Sequence, residues 1–222
     1  MARASRAPLG WMRRDPDDSR KSSTSHQSGS KPTPLRGCSS SAPLVEQKMT
    51  FEFTCTTCGE IHTGMPTFGA DKPLSYFEIP EEERAQRCDC GTDECVIDGK
   101  WFFVRGCVEI PVHGEQDPFI WGVWVSLSEE NFNKWIKCFH EEKRSQVGPF
   151  FGWLNAWLKP YPATVNLKTM VHLRDNGIRP YIELEPTDHP LAVEQRTGIS
   201  KERVAEIYSM MMHGRTADDR VE

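Results

Sequence analysis

Apolar and polar residues alternate cleanly from 101 to 127. Phe102, Val104, Gly106, Val108 and Ile110 fall on one side of an extended chain and Arg105, Cys107 and Glu109 on the other, which predicts a strand with one face in the core. After the turn sequence at 113–118, Phe119, Trp121, Val123, Val125 and Leu127 repeat the pattern, with Gly122 and Trp124 behind them. The period then changes from two to 3.6. Phe132, Trp135, Ile136 and Phe139 stand at i, i+3, i+4 and i+7, the spacing that lines one face of a helix. Ser128 is placed to cap that helix, because a hydroxyl can accept from the free N–H groups of the first turn, and Leu127 with Phe132 is placed to staple it.

The same succession recurs downstream. Val165, Leu167, Thr169, Val171 and Leu173 point inward, and Asn166, Lys168, Met170 and His172 outward. Asp175, Asn176 and Gly177 make a hairpin turn, since Asn and Gly accept the positive φ that tight hairpins require. The returning strand over 178–185 turns Ile182 and Leu184 inward, and Pro180, which lacks an N–H, marks it as an edge strand. Helices follow at 188–196, closed by Gly198, and at 200–212, capped by Ser200 with Val204, Ile207, Tyr208 and Met211 as the apolar stripe. A short helix opens at Pro80. The aromatic stretch 148–162, broken by Gly and Pro, reads as a connection with one helical turn. The expected fold is therefore α+β: an antiparallel sheet of about four strands, in two hairpins of ββα-ββα order, packed with helices and preceded by a zinc-knuckle-like segment.

Composition changes the picture at the ends of the chain. Of the 222 residues, the first 48 mix Arg, Ser, Pro and Gly with little apolar content, so 1–48 reads as a disordered extension and 215–222 as a flexible tail. The single domain expected between them, 49–214, has a cysteine-rich opening segment at 51–95. Charge is lopsided. Of 27 basic and 32 acidic residues, 18 and 28 lie from Met49 onward, leaving that part about ten charges negative. An acidic domain is a poor match to nucleic acid, whose phosphates call for a basic footprint. No apolar run reaches the roughly 18 to 20 residues of a spanning helix, so a soluble protein with no membrane partner is expected.

The cysteines carry the most specific chemistry. Eight are present, without the apolar stretch of a secretory signal, which favours reduced thiols or metal ligands over a disulfide scaffold. Cys55-Thr-Thr-Cys58-Gly59 has the form of a zinc knuckle: the spacing presents two thiolates to one tetrahedral ion, and the glycine permits the tight turn. One pair is half a site. His62, Cys88, Cys90 and Cys95 are the available partners, and a redox-active pair or plain surface thiols are the competing readings.

Two further groups invite a functional reading. Glu183, Glu185, Asp188 and His189 gather at a strand-to-helix junction and could hold a metal or serve as acid and base; the plainer reading makes Asp188 or His189 the cap of a helix that Pro190 starts. Six of the seven tryptophans lie between 101 and 157. Trp121 and Trp135 belong to core faces, while Trp124, Trp153 and Trp157 are candidates for an aromatic surface that takes a peptide, sugar or protein partner.

Taken together, CxxCGxxH at 55–62, RGCVEIPV at 105–112, WGVWVSLSEENF at 121–132, GWL at 152–154, NLKT at 166–169 and RPYIELEPTDHPLAVEQRTGI at 179–199 resemble the bacterial family of domains of unknown function 2199. The resemblance runs over essentially 49–214. It implies a bacterial, cytoplasmic protein and leaves the activity open. It also implies a zinc site of Cys55, Cys58 and Cys95 with His62 as fourth ligand and Cys90 as its substitute, because Cys88 and Cys90 stand outside the family pattern. The expected function is a zinc-stabilised module that binds a protein partner or small ligand; the alternative is a metal-dependent hydrolase using Glu183, Glu185, Asp188 and His189.

Overall fold

The structure, a computed structural model, describes residues 50–214. The expectations for 1–48 and 215–222 fall outside the described residues. In chain order the elements are β1 (Glu52–Thr54), β2 (Ile61–Thr63), β3 (Thr67–Gly69), α1 (Leu74–Phe77), α2 (Glu81–Arg87), β4 (Cys88–Cys90), β5 (Glu94–Ile97), β6 (Trp101–Ile110), β7 (Phe119–Leu127), α3 (Glu129–Lys137), β8 (Phe150–Leu154), β9 (Lys168–His172), β10 (Tyr181–Leu184), α4 (Pro190–Thr197) and α5 (Lys201–Met212). Among the described residues no helix is long and apolar enough to cross a membrane.

β6 and β7 pair antiparallel along their whole shared length, from Phe102 opposite Leu127 to Ile110 opposite Phe119. β7 then pairs with β8, β8 with β9 and β9 with β10, all antiparallel, and β10 returns to the far edge of β6 through a parallel pairing of Tyr181 with Cys107. Five strands thus close into a mixed barrel. β3 adds to β7, and β5 and β4 extend from β6, to make an eight-stranded sheet. This corrects the expected fold: the protein is mostly β, with few helices, and not an antiparallel sheet of about four strands in ββα-ββα order. The missed strands hide for a physical reason. β3 and β4 are three residues long, too short to display a period. β8 buries Phe150, Gly152 and Leu154 but also carries Phe151 and Trp153 outward, so both of its faces are apolar and alternation disappears.

Val104, Val108, Ile110, Trp121, Val123, Leu154, Val171 and Ile182 fill the barrel, and Phe132 and Trp135 of α3, Leu191 of α4 and Val204 and Ile207 of α5 join the same core. The side-chain caps follow the sequence: Ser128 accepts from Asn131 N–H at 3.2 Å and Ser200 from Arg203 N–H at 3.3 Å. A smaller core lies outside the barrel, where Ile79, Cys95 and Ile97 cover Phe103 and Trp124 on the reverse face of β6 and β7.

The seam between β10 and β6 is sparsely bonded. Gly106 faces it, and a Cβ there would sit 2.5 Å from Ile182 Cδ1 and 2.9 Å from the Pro180 oxygen, so the close approach requires glycine. Beyond Tyr181, β10 has no ladder partner on this side. Gln195 of α4, 7 % exposed, takes that place: its amide donates to Ile182 O at 2.7 Å and accepts from Leu184 N–H at 2.9 Å. Buried Arg144 ties the α3–β8 connection to the β9–β10 turn by donating to the carbonyls of Phe139, Arg174 and Ile178. Asp175 accepts from the Arg144 and Ser145 N–H groups at 2.8 and 2.7 Å, which holds its carboxyl below the ordinary 3.8.

Gln195→Leu is expected to orphan a buried N–H and a buried C=O and to lower unfolding free energy by roughly 3 kcal/mol in urea titrations. Asp175→Asn carries a pH signature. A carboxylate whose folded pKa is depressed stabilises the fold above its unfolded value and loses that contribution as pH falls through the folded one, so the deficit of the variant against wild type is expected to be full at neutral pH and to shrink progressively as pH falls below the ordinary 3.8 in denaturation series.

Candidate metal centre

β1 and β2 form a separate hairpin, with Phe53 opposite His62, and the knuckle sequence is its turn. Cys55 N–H donates to Glu60 O at 2.9 Å and Gly59 N–H to Cys55 O at 3.0 Å, with Gly59 at φ 72°. This winding places the two sulfurs on one side. Cys55 is buried and Cys58 exposed. The ligand atoms of Cys55, Cys58 and His213 lie within 4.8 Å of one another, as do those of Cys58, Glu60 and His62. Cys58 belongs to both groups. Its Sγ is 3.7 Å from His62 Nε2, and a tetrahedral zinc with ordinary Zn–S and Zn–N bonds would separate such atoms by about 3.6 Å.

The last turn of α5 brings His213, whose N–H closes the helix on Ser209 O at 2.9 Å. Tyr208, one turn earlier, packs on His62 with ring centroids 4.5 Å apart, and its hydroxyl lies 3.3 Å from His62 Nδ1. Thr57 in the knuckle and Ser209 in the helix share a hydroxyl–hydroxyl bond. The Cys55 thiol is pulled down to about 6 by the backbone N–H groups of Cys58 and Thr57, with His213 adding to the effect. Cys58 goes the other way: Glu60 N–H favours its thiolate, but burial and the neighbouring Cys55 outweigh it. Thiols and imidazoles grouped around Cys58 suit a borderline-soft divalent cation, and with His62 Nε2 turned to the Cys58 sulfur, Nδ1 is left to the Tyr208 hydroxyl, the outer partner a metal-bound histidine needs.

Residues 54–199 match the family described as uncharacterized protein conserved in bacteria, DUF2199. This chain belongs to the DUF2199 family. No curated protein and no solved structure matches it. In the DUF2199 chain the matched span includes Cys55, Cys58 and His62 and ends before His213.

The remaining sequence candidates are distributed through the DUF2199 fold. Cys95, expected as a third ligand, lies in the outer core at 0 % exposure, and Cys90, the expected substitute for His62, stands opposite it in the β4–β5 register; the two are joined as a disulfide. Glu183 bonds His172 at 2.8 Å on the neighbouring strand, and Glu185 pairs with Lys168 at 3.3 Å. His189 caps α4, its Nδ1 accepting from Leu191 N–H at 3.2 Å while Nε2 faces Pro162 O at 3.3 Å, and Asp188 is exposed. Among the described residues these four form no group with ligand atoms within 4.8 Å. The reverse face of β6 is ion-paired: Glu109 with Arg174 at 2.6 Å, Arg179 with Asp93 at 2.7 Å, and Arg105 with Asp71 at 3.8 Å. Burial pushes the Cys107 thiol up. Trp124 is fully buried and donates to Ala70 O at 3.1 Å, whereas Trp153 and Trp157 are exposed.

His213 was not among the expected ligands. A histidine at a helix end is weak evidence by itself, and only the docking of α5 on the knuckle gives it a role. Tyr208→Phe keeps the ring packing and removes the hydroxyl, and is expected to weaken metal binding by about tenfold to a hundredfold in competition with a chromophoric chelator, with the circular dichroism spectrum unchanged.

Proposed function

We propose that this DUF2199 protein is a zinc-stabilised binding module, in which a structural ion held by Cys55, Cys58, His62 and His213 clamps the opening knuckle to the end of α5. The observation that carries the reading is the shared position of Cys58 in two ligand groups, one reaching His213 and the other His62. Four protein ligands close a tetrahedral shell, which is the arrangement of structural rather than catalytic zinc. Glu60 stands beside this set as a further oxygen donor. The clamp leaves the barrel surface to a protein partner or small ligand. The hydrolase alternative at Glu183, Glu185, Asp188 and His189 has no observation in its favour, because Glu183, Glu185 and His189 each engage a local partner.

Metal-resolved native mass spectrometry tests the reading. A single zinc ion per chain is expected in wild type and in His189→Ala, and its loss in Cys58→Ser and in His213→Ala. Metal that stays bound in both of the latter variants, or that disappears only with His189, overturns it.

A further inference from the structure

The outer face of the barrel carries a second feature. Phe103 stands opposite Ser126, Ser126 opposite Trp153, and Trp153 opposite Lys168, so these four form one row across β6, β7, β8 and β9. Directly opposed residues share a face, and three strand spacings of about 4.8 Å make the row roughly 14 Å long. Ser126 is its low point, between two aromatic side chains. A cavity of about 410 Å³ lies along the Ser126 end, lined by Trp101, Phe103, Asn155 and Asn166 among others. A second of about 200 Å³ lies beyond it, lined by Trp153, Lys168, Glu185 and Thr187, and Asn166 borders both. The row and the two cavities, which have Asn166 in common, form a grooved surface.

We propose that this groove binds a short, linear, neutral oligosaccharide. The walls carry exposed indoles, Trp101 at 61 % and Trp153 at 41 %, and Phe151 braces Trp153 edge-on at 5.2 Å. Flat aromatic faces open to water suit the C–H faces of sugar rings. The hydrogen-bonding groups between them are amides and hydroxyls. Asn155 is held in place by Ser75, accepting from its N–H and donating to its hydroxyl, each at 3.0 Å. Asn166 sits at φ 64°, and its side-chain amide makes no hydrogen bond among the described residues, so it is open to a ligand where the two cavities meet. The cations of the groove are already engaged, Arg87 by Glu83 and Asp98 at 2.7 Å and Lys168 by Glu185 at 3.3 Å, which leaves little to attract a phosphate or carboxylate. An extended peptide fits less well. It binds β-proteins by adding to a strand edge, and the main chain beneath this groove is paired within the sheet.

The proposal rests on reading the protein as a binding module and does not depend on the metal. Tryptophan fluorescence and calorimetric titration of the full chain with cellohexaose, maltohexaose and chitohexaose, beside a neutral Gly-Ser hexapeptide, test it. At least one hexasaccharide is expected to bind saturably, and its affinity to fall at least about tenfold in Trp153→Ala and in Asn166→Gly, the latter removing the amide from a backbone conformation that glycine adopts freely. No saturable binding of any hexasaccharide, binding unchanged by both variants, or preference for the peptide overturns the assignment. Zinc content measured on the same samples separates the outcomes: a metal-loaded chain that ignores every sugar sinks the groove alone, and a metal-free chain that binds one sinks the clamp alone.

Discussion

The structure depends on a seam that is closed by very little. β10 reaches β6 through one parallel residue pair and the bond from Cys107 N–H to Pro180 O at 2.8 Å, and Pro180 has no N–H to return. Gly106 lets Ile182 press against the opposite strand, and Gln195 supplies from α4 the donor and acceptor that a neighbouring strand would have given. A buried amide with both its groups used is stabilising, whereas the same carbonyl and N–H without partners would each cost about 1 to 3 kcal/mol. Closure in turn reduces the open edge that an ordinary sheet must protect, and the eight-stranded sheet ends at β3 and β4, each three residues long.

The knuckle stands in a different energetic position. A two-stranded hairpin is marginal by itself, and this one is attached through Phe51 and Phe53, which enter the main core, and through its contacts with Tyr208 and Ser209. Apparent binding of structural zinc, about 10 to 16 kcal/mol, rivals the whole stability of a typical domain, about 5 to 15 kcal/mol. The barrel has its own apolar interior, so metal energy of that size would be felt locally, in the knuckle and the last turn of α5.

Local signals in the sequence were sufficient for local structure. The inward and outward sets of β6 and β7, the Ser128 and Ser200 caps and the knuckle turn each depend on residues a few positions apart, and each stands where its pattern placed it. Closure was not legible, because it pairs Tyr181 with Cys107 across 74 positions and leaves its mark only in a glycine and a glutamine that carry no hydrophobic period. The candidate metal centre was half legible for the same reason: Cys55, Cys58 and His62 are neighbours in sequence, while His213 arrives by the packing of α5. Cys90 and Cys95 looked like spare ligands until the β4–β5 hairpin set them face to face.

Trp124 and Trp153 show how the same outer surface yields two outcomes. They lie on neighbouring strands of one sheet, both directed away from the barrel, yet one is fully buried and the other is 41 % exposed. The difference is the extent of the covering layer. The segment from Ala70 to Ile97 roofs Trp124 and accepts its indole N–H, and it is anchored at its margin where Leu74 and Ser75 donate to Asn155. Trp153 stands just past that margin. The groove therefore follows the boundary between a second core and open sheet, with Asn155 fixing the roof on one side and the αL turn at Asn166 limiting it on the other. Shifting that boundary by one strand would either bury Trp153 or strip the apolar cover from Phe103 and Trp124, so the position of the groove is set by the same packing that stabilises the outer core.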